Sequence, residues 1–348
     1  MAMTIVEVVR LITGGVDTHL DVHVAAALDA TGGVLGVRSF PTTPAGLVEL
    51  HGWLGEFGTI GRVGVEGTGA YGAGLSRHLR AQGLEVIEVD RPNRQARRVR
   101  GKSDSLDAVE AARAVLSGRA CGIAKSADGN VEAIRTLLIA KRSGRETRIA
   151  CLNQIRHLGF CAPDDLRERL RDLPRSHLAA VAASLRPQAG TEPVAYATKV
   201  ALRTLGRRVQ AINNDADLLD AHLGELVEAT APGLLALHGV GVDTAAILLV
   251  AAGDNPERLR TEGAWASLCG VAPLPASSGK ITRHRLNRGG NRQANHALWR
   301  VTLTRMGSDA RTRAYVARRL DEGLSKPEIM RALKRYIARE TYQHLPRS

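Results

Sequence analysis

The stretch from residue 16 to residue 40 limits the fold more than any other. Val22, Val24 and Ala26 are set against Asp21, His23 and Ala25, the run breaks at Thr31-Gly32-Gly33, and a second run follows over residues 34–40. A two-residue side-chain period interrupted by glycines is the pattern of a β-hairpin. With an entering segment at residues 11–16, the sequence predicts three neighbouring antiparallel strands, the first ending at Asp17.

Helix and strand then alternate. Leu47, Leu50, Trp53 and Leu54 share one face of a helix predicted over residues 44–57, and residues 62–65 read as a buried strand ending at Glu66. A helix over residues 72–82 leads through Gly83 to a strand at residues 85–89. Three strands, helix, strand, helix, strand, helix is the order of the ribonuclease-H-like α/β architecture, in which carboxylates at strand ends and a helix start converge over the middle of the sheet.

The helix that should close this order begins at Lys102-Ser103-Asp104-Ser105-Leu106-Asp107-Ala108. Asp104 and Asp107 are three apart and share one helix face. Directly before them lie Arg91, Arg94, Arg97, Arg98, Arg100 and Lys102, with no acid between Asp90 and Asp104. A carboxylate pair behind a run of cations suits a hard metal ion facing a polyanion. The formal net charge of +13 points the same way, to nucleic acid as partner.

Metal-assisted phosphoryl transfer needs several hard oxygen ligands, so that one or two magnesium ions bind phosphate and stabilise charge on the entering and leaving oxygens. Asp17, Glu66, Asp104 and Asp107 are placed for that role. A single acid at a strand end more often caps a turn; four in this order on one sheet favour a metal.

Beyond residue 131 the pattern is helical and rich in arginine, with Pro163, Pro174 and Pro187 as breakers. Leu202, Leu205, Val209, Ile212, Ala216, Leu219, Leu223 and Leu226 then alternate spacings of three and four, the seam of a coiled coil. This predicts a helical hairpin or a dimerisation arm. Leu237-His238-Gly239-Val240-Gly241 resembles the turn of a helix-hairpin-helix element. A second basic block, free of acids between Glu262 and Asp309, carries Lys280, Arg283, Arg285, Arg288 and Arg292 around the loop Pro273-Leu274-Pro275-Ala276-Ser277-Ser278-Gly279. Ser325-Lys326-Pro327-Glu328 is a capping box that opens a last amphipathic helix.

Four cysteines without CxxC spacing read as reduced thiols of a cytoplasmic protein and argue against zinc. The longest apolar run, residues 245–252, is far short of a membrane span.

Taken together, Gly15-Val16-Asp17-Thr18, Val65-Glu66-Gly67-Thr68-Gly69-Ala70-Tyr71, residues 102–108, residues 237–241 and Gly270-Val271-Ala272-Pro273 through Ser278-Gly279 resemble the DEDD transposases of the insertion-sequence 110 family, the bridge-RNA-guided recombinases. The resemblance implies an N-terminal RuvC-like (RNase H-like) domain at residues 1–125, a helical coiled-coil connector at residues 126–230, and a mainly helical C-terminal transposase domain at residues 231–348. It further implies that Asp17, Glu66, Asp104 and Asp107 hold magnesium and that Ser278, with Ser277 as fallback, attacks a DNA phosphate to form a phosphoserine link. Donor and target double-stranded DNA, a structured non-coding bridge RNA, and assembly as a homodimer or homotetramer are implied with it. Two departures stand out: Thr18-His19-Leu20 follows the first Asp where family members often carry Lys, and Pro275-Ala276 precedes the serines where an aromatic is common. The rival readings are a RuvC-like junction nuclease using water, an actin-like kinase or ATPase built on Glu66-Gly67-Thr68-Gly69, and a non-catalytic nucleic-acid scaffold.

Overall fold

The computed structural model describes residues 10–89, 103–125, 129–188, 190, 192–254, 259–275, 284–285, 287 and 289–346. It divides into two compact units, residues 1–129 with 252–260, and residues 130–251 with 261–346.

The first unit is a six-stranded sheet. Strands β1 (Leu11–Thr18), β2 (Val22–Asp29) and β3 (Val34–Pro41) form an antiparallel meander, as the alternation predicts. Helix α1 (Pro44–Gly55) returns the chain to β4 (Thr59–Glu66), which lies parallel to β1; α2 (Ala73–Ala81) then leads to β5 (Glu85–Val89), parallel to β4. Helix α3 (Asp104–Leu116) precedes a two-residue edge strand, β6 (Gly122–Ile123), antiparallel to β5. The strand order β3-β2-β1-β4-β5-β6 is that of an RNase H-like sheet.

Both faces are covered. One carries Ile12, Val16, Phe40, Val63 and Val65 against Leu50, Trp53 and Leu54 of α1 and Leu75 and Leu79 of α2. The other carries Val24, Ala26 and Leu28 against Ala108, Val109 and Ala112 of α3. Hence β2 is not wet on one side, as its polar residues suggest, and even His23 is buried. At β1 and β2 the sheet lies between two helical layers and has no solvent face, whereas the edge strand β3 is largely exposed.

The second unit is helical. Helix α4 (Asn130–Phe160) and the 38-residue α7 (Pro193–Thr230) run antiparallel, with Lys141 meeting Asp220 and Arg148 donating to Asn213 at 2.7 Å. The seam from Leu202 to Leu226 is thus met within the chain, as a helical hairpin. Between them lie α5 (Asp164–Arg171) and α6 (Arg175–Ser184), which begin directly after Pro163 and Pro174. Gly206 lets α7 touch α6, since a Cβ there would come within 2.4 Å of the Ala183 nitrogen.

The chain continues through α8 (Pro232–Leu235), α9 (Val242–Ala252), α10 (Glu262–Leu268), the short hairpin of β7 (Leu274–Pro275) and β8 (His284–Arg285), and then α11 (Arg292–Ser308), α12 (Ala310–Asp321) and α13 (Lys326–Gln343). The Glu328 carboxylate accepts from the Ser325 nitrogen at 2.9 Å, giving the capping box that opens α13. Trp265 of α10 is fully buried, and its indole N–H donates to Thr341 of α13 at 3.2 Å.

Candidate functional site

Two glycines bring the carboxylates together. Gly15 of β1 and Gly64 of β4 are register partners, and each lies two residues before an acid, Asp17 and Glu66. In a strand, residues two apart face the same side. On that side α3 lies so close that a Cβ on Gly15 would sit 2.3 Å from the Ala108 carbonyl oxygen and the Ala112 nitrogen. A Cβ on Gly64 would meet the Ala111 carbonyl oxygen at 2.9 Å. The bare backbone, with Ala108, Ala111 and Ala112 opposite, sets α3 down on the sheet with its first turn beside the strand ends.

That turn is capped by Ser103, whose Oγ accepts from the Leu106 nitrogen at 3.3 Å. Asp104 and Asp107 follow within it, where the helix dipole favours negative charge. Asp17 and Asp107 are buried, at 6% and 5% exposure. Asp104 is exposed. Burial raises the Asp17 carboxyl above its ordinary pKa; His19 opposes this, and the charges of Asp107 and Asp104 add to it.

His19 bridges the group. Its Nε2 lies 3.1 Å from Asp17 Oδ2 and 3.5 Å from Asp104 Oδ1, and among the described residues Asp17, His19 and Asp104 form a cluster whose ligand atoms all come within 4.8 Å of one another. Glu66 ends β4, one residue beyond the Val16–Val65 pair, and its carbonyl oxygen accepts from Thr18 Oγ1 at 2.7 Å. Glu66 and Asp107 are thus on the same face but outside the closest cluster. His23, opposite Thr18, is held toward the neutral form by burial and by His19, and its Nδ1 has no hydrogen-bond partner.

The donor set fits a hard divalent cation: carboxylate oxygens on three elements, gathered at partly buried positions where their mutual repulsion is relieved by a positive ion. The turn after Glu66, by contrast, does not have the form of a phosphate loop. The Ala70 and Gly72 nitrogens both donate to the Gly67 carbonyl oxygen and are turned inward. The Gly239 turn is likewise tied into its own unit, with Arg305 Nε donating to the His238 carbonyl oxygen at 2.8 Å.

Comparison with known proteins locates both halves of the chain. A DEDD transposase model of IS110 matches residues 14–158, which include Asp17, Glu66, Asp104 and Asp107. A second model, described as transposase IS116/IS110/IS902 family, matches residues 231–317, which include the serine segment. The chain belongs to the IS110 family of transposases. It is also 33% identical over 139 residues to the "Insertion element IS110 uncharacterized 43.6 kDa protein" of Streptomyces coelicolor, covering 39% of this chain and 34% of that relative. The chain therefore spans about a third of the curated relative it matches.

Within this family member, Ser277, Ser278, Lys280, Arg283 and Arg288 lie outside the described residues, as do Arg91, Arg94, Arg97, Arg98, Arg100 and Lys102. What is described of the serine segment is its stem. Leu274 pairs with Arg285 and Pro275 with His284, antiparallel. Arg285 and Arg292 are exposed. Among the described residues no helix is long and apolar enough to cross a membrane.

Sequence reasoning did not find His19 as a neighbour of the carboxylates, nor the glycine pair. The signal for the glycines was present: Gly15-Val16-Asp17 and Gly64-Val65-Glu66 repeat glycine, one residue, acid. His19 carried none beyond its place two residues after Asp17.

Proposed function

We propose that this chain is a DNA recombinase that cuts and rejoins strands with a magnesium-binding carboxylate site and a serine nucleophile, under the guidance of a structured bridge RNA. One observation carries the reading: Asp17 at the end of a buried strand and Asp104 on a docked helix share His19, with Asp107 close enough for its charge to act on Asp17. Family membership and a basic surplus of +13 support DNA as substrate.

In this reading Asp17, Glu66, Asp104 and Asp107 hold one or two Mg2+ ions. Bound there, the metal supplies charge neutralisation of the scissile phosphate and of the entering and leaving oxygens. His19 orients Asp17 and Asp104. Ser278, or Ser277 in its place, loses its hydroxyl proton and attacks phosphorus. One P–O bond forms to Oγ as the bond to the leaving strand's oxygen breaks, and that strand departs as a hydroxyl. Reversal by a different strand's hydroxyl restores the serine and joins the new partners. The proposed working unit is a dimer or tetramer around two duplexes.

The test is a covalent adduct. Purified protein with its copurifying RNA, magnesium and DNA carrying donor and target sequences should yield a protein–DNA species resistant to denaturant, absent in Ser278→Ala and in Asp104→Ala. Cleavage without adduct that survives Ser278→Ala would make the protein a junction nuclease that uses water. Copurified RNA in random fragments would remove the guide.

A further inference from the structure

Several half-buried cations of the helical unit are met by carboxylates. Lys141 sits between Asp220 and Asp243, Arg305 donates to Glu340 at 2.6 Å, and Arg335 donates to Glu262 at 2.9 Å. Lys334 of α13 donates to the amide oxygen of Asn295 at 2.9 Å, and among the described residues no carboxylate lies within ion-pair distance of it. Burial and, after it, the charge of Arg331 lower its pKa, and Arg331 is itself paired with Glu328 at 4.0 Å. A desolvated ammonium facing a guanidinium is destabilising unless an anion completes it.

The surroundings are prepared for one. Lys334 opens on a cavity of about 250 Å³ at the foot of the β7–β8 hairpin, walled by residues 270–273, Arg285, Arg331 and Arg335. Asn295 fixes the arrangement: its Nδ2 donates to the Cys269 carbonyl oxygen at 2.8 Å and the Gly270 carbonyl oxygen at 3.2 Å, while its Oδ1 accepts from Lys334. With both ends of the amide engaged, the lysine cannot swing to solvent without breaking that bracket. The turn it holds requires glycine, with Gly270 at φ +65° and a Cβ there 2.7 Å from the Gly289 carbonyl oxygen. Arg285 is exposed beside it, with no acidic partner among the described residues. Val271, Ala272 and Pro273 add apolar lining against which a sugar can pack. A cluster of donors with apolar lining and no aromatic ring binds a phosphate and its sugar backbone without reading a base.

We propose that this pocket holds one backbone phosphate of a DNA strand, with Lys334 at its base and Arg285 and Arg331 at its rim. The demand for a phosphate comes from the pocket itself; that the phosphate belongs to DNA rests on the functional reading above. Lys334 is a positioning residue: it fixes a strand beside the β7–β8 pair, between whose strands Ser277 and Ser278 fall in the sequence.

The test uses the full chain in EDTA, so that no strand chemistry is involved. Sub-stoichiometric acetylation followed by peptide mass spectrometry reads Lys334 directly in the wild-type protein. Inorganic pyrophosphate, against chloride at equal ionic strength, is expected to slow Lys334 acetylation by about tenfold, the effect of one charge-assisted contact. A single-stranded 12-nucleotide DNA is expected to protect it as well, and to bind Lys334→Met and Arg331→Ala about tenfold more weakly. The Lys334→Met melting temperature should be no lower than that of wild type. Lack of protection by pyrophosphate overturns the pocket, whether or not the protein recombines DNA. Protection by pyrophosphate with oligonucleotide affinity unchanged in both variants overturns the DNA assignment and leaves a free-phosphate site.

Discussion

Gly15 and Gly64 are register partners across β1 and β4 where α3 rests on bare backbone, two residues before Asp17 and Glu66. The acids and the surface that receives the helix are therefore set by one strand register. Shifting the helix away from the glycines moves Asp104 and Asp107 away from Asp17.

A methyl group at either glycine is expected to separate these parts. Gly15→Ala forces backbone against backbone at 2.3 Å and should lower the unfolding free energy by about 1–3 kcal/mol. Gly64→Ala, which meets the tip of Val115 first, at 2.6 Å, should lie at the low end. Gly224→Ala is the control: nothing lies within 4 Å of its added Cβ inside α7, so removing a flexible residue should stabilise by about 0.5–1 kcal/mol. Urea denaturation followed by circular dichroism reads all three. Equal losses at Gly15 and Gly224 would mean that close helix docking is not what Gly15 provides.

Asp17 gives a pH dependence with a definite sign. Burial raises its pKa in the fold, and Asp107 and Asp104 add to the rise against the opposing His19. A carboxyl whose folded pKa exceeds its unfolded value contributes stability at low pH, and this is lost as pH rises through the folded pKa. Without metal, Asp17→Asn should melt close to wild type near pH 3.5 and above it at neutral pH, the gap opening between the unfolded value of 3.8 and the raised one. The same variant should be inactive. A scan of melting temperature against pH in EDTA checks the first point, and a constant gap across the range would contradict it.

The meander, the α/β order and the helix start at Asp104 were legible because each is written locally, in a two-residue alternation, a 3.6-residue period or a serine cap before two acids. Pro163 and Pro174, read as breakers, stand directly before the starts of α5 and α6. His19 was not legible, since its role arises from a neighbour 85 positions away, Asp104, and only the folded sheet brings them within 3.5 Å. The seam of α7 announced that it needed a partner without saying which; α4 meets it from within the chain, through contacts such as Arg148 with Asn213. The two-residue strands β6, β7 and β8 are too short to carry a period and emerge only from their pairings.

Lys141 joins three helices, lying on α4 and reaching Asp220 of α7 and Asp243 of α9. Its two carboxylates outweigh the effect of burial and raise its pKa, so it stays charged well above neutral pH. Lys141→Met leaves both acids without their cation and should destabilise by about 1–3 kcal/mol, the range for a hydrogen bond to a charged group. Adding Asp243→Asn should recover part of that loss, a coupling that a double-mutant cycle on urea midpoints measures. Strict additivity would show that the lysine contributes by packing its stem alone.

The last prediction separates metal binding from catalysis. A cation bound by the folded carboxylates and absent from the unfolded chain stabilises by mass action, about 2.7 kcal/mol at one hundred times its dissociation constant. Titrating magnesium into EDTA-treated protein should raise the melting temperature in wild type and in Ser278→Ala alike, because the serine is not a ligand in this reading. Asp104→Ala and Asp17→Asn should remove the rise, although Asp17→Asn starts from a higher metal-free value. His19→Ala is the informative case. As an organiser of Asp17 and Asp104, at 3.1 and 3.5 Å, it should weaken the magnesium response without abolishing it. If its loss instead strengthens the response, His19 competes with the metal for the two carboxylates, and its contact belongs to the metal-free state alone.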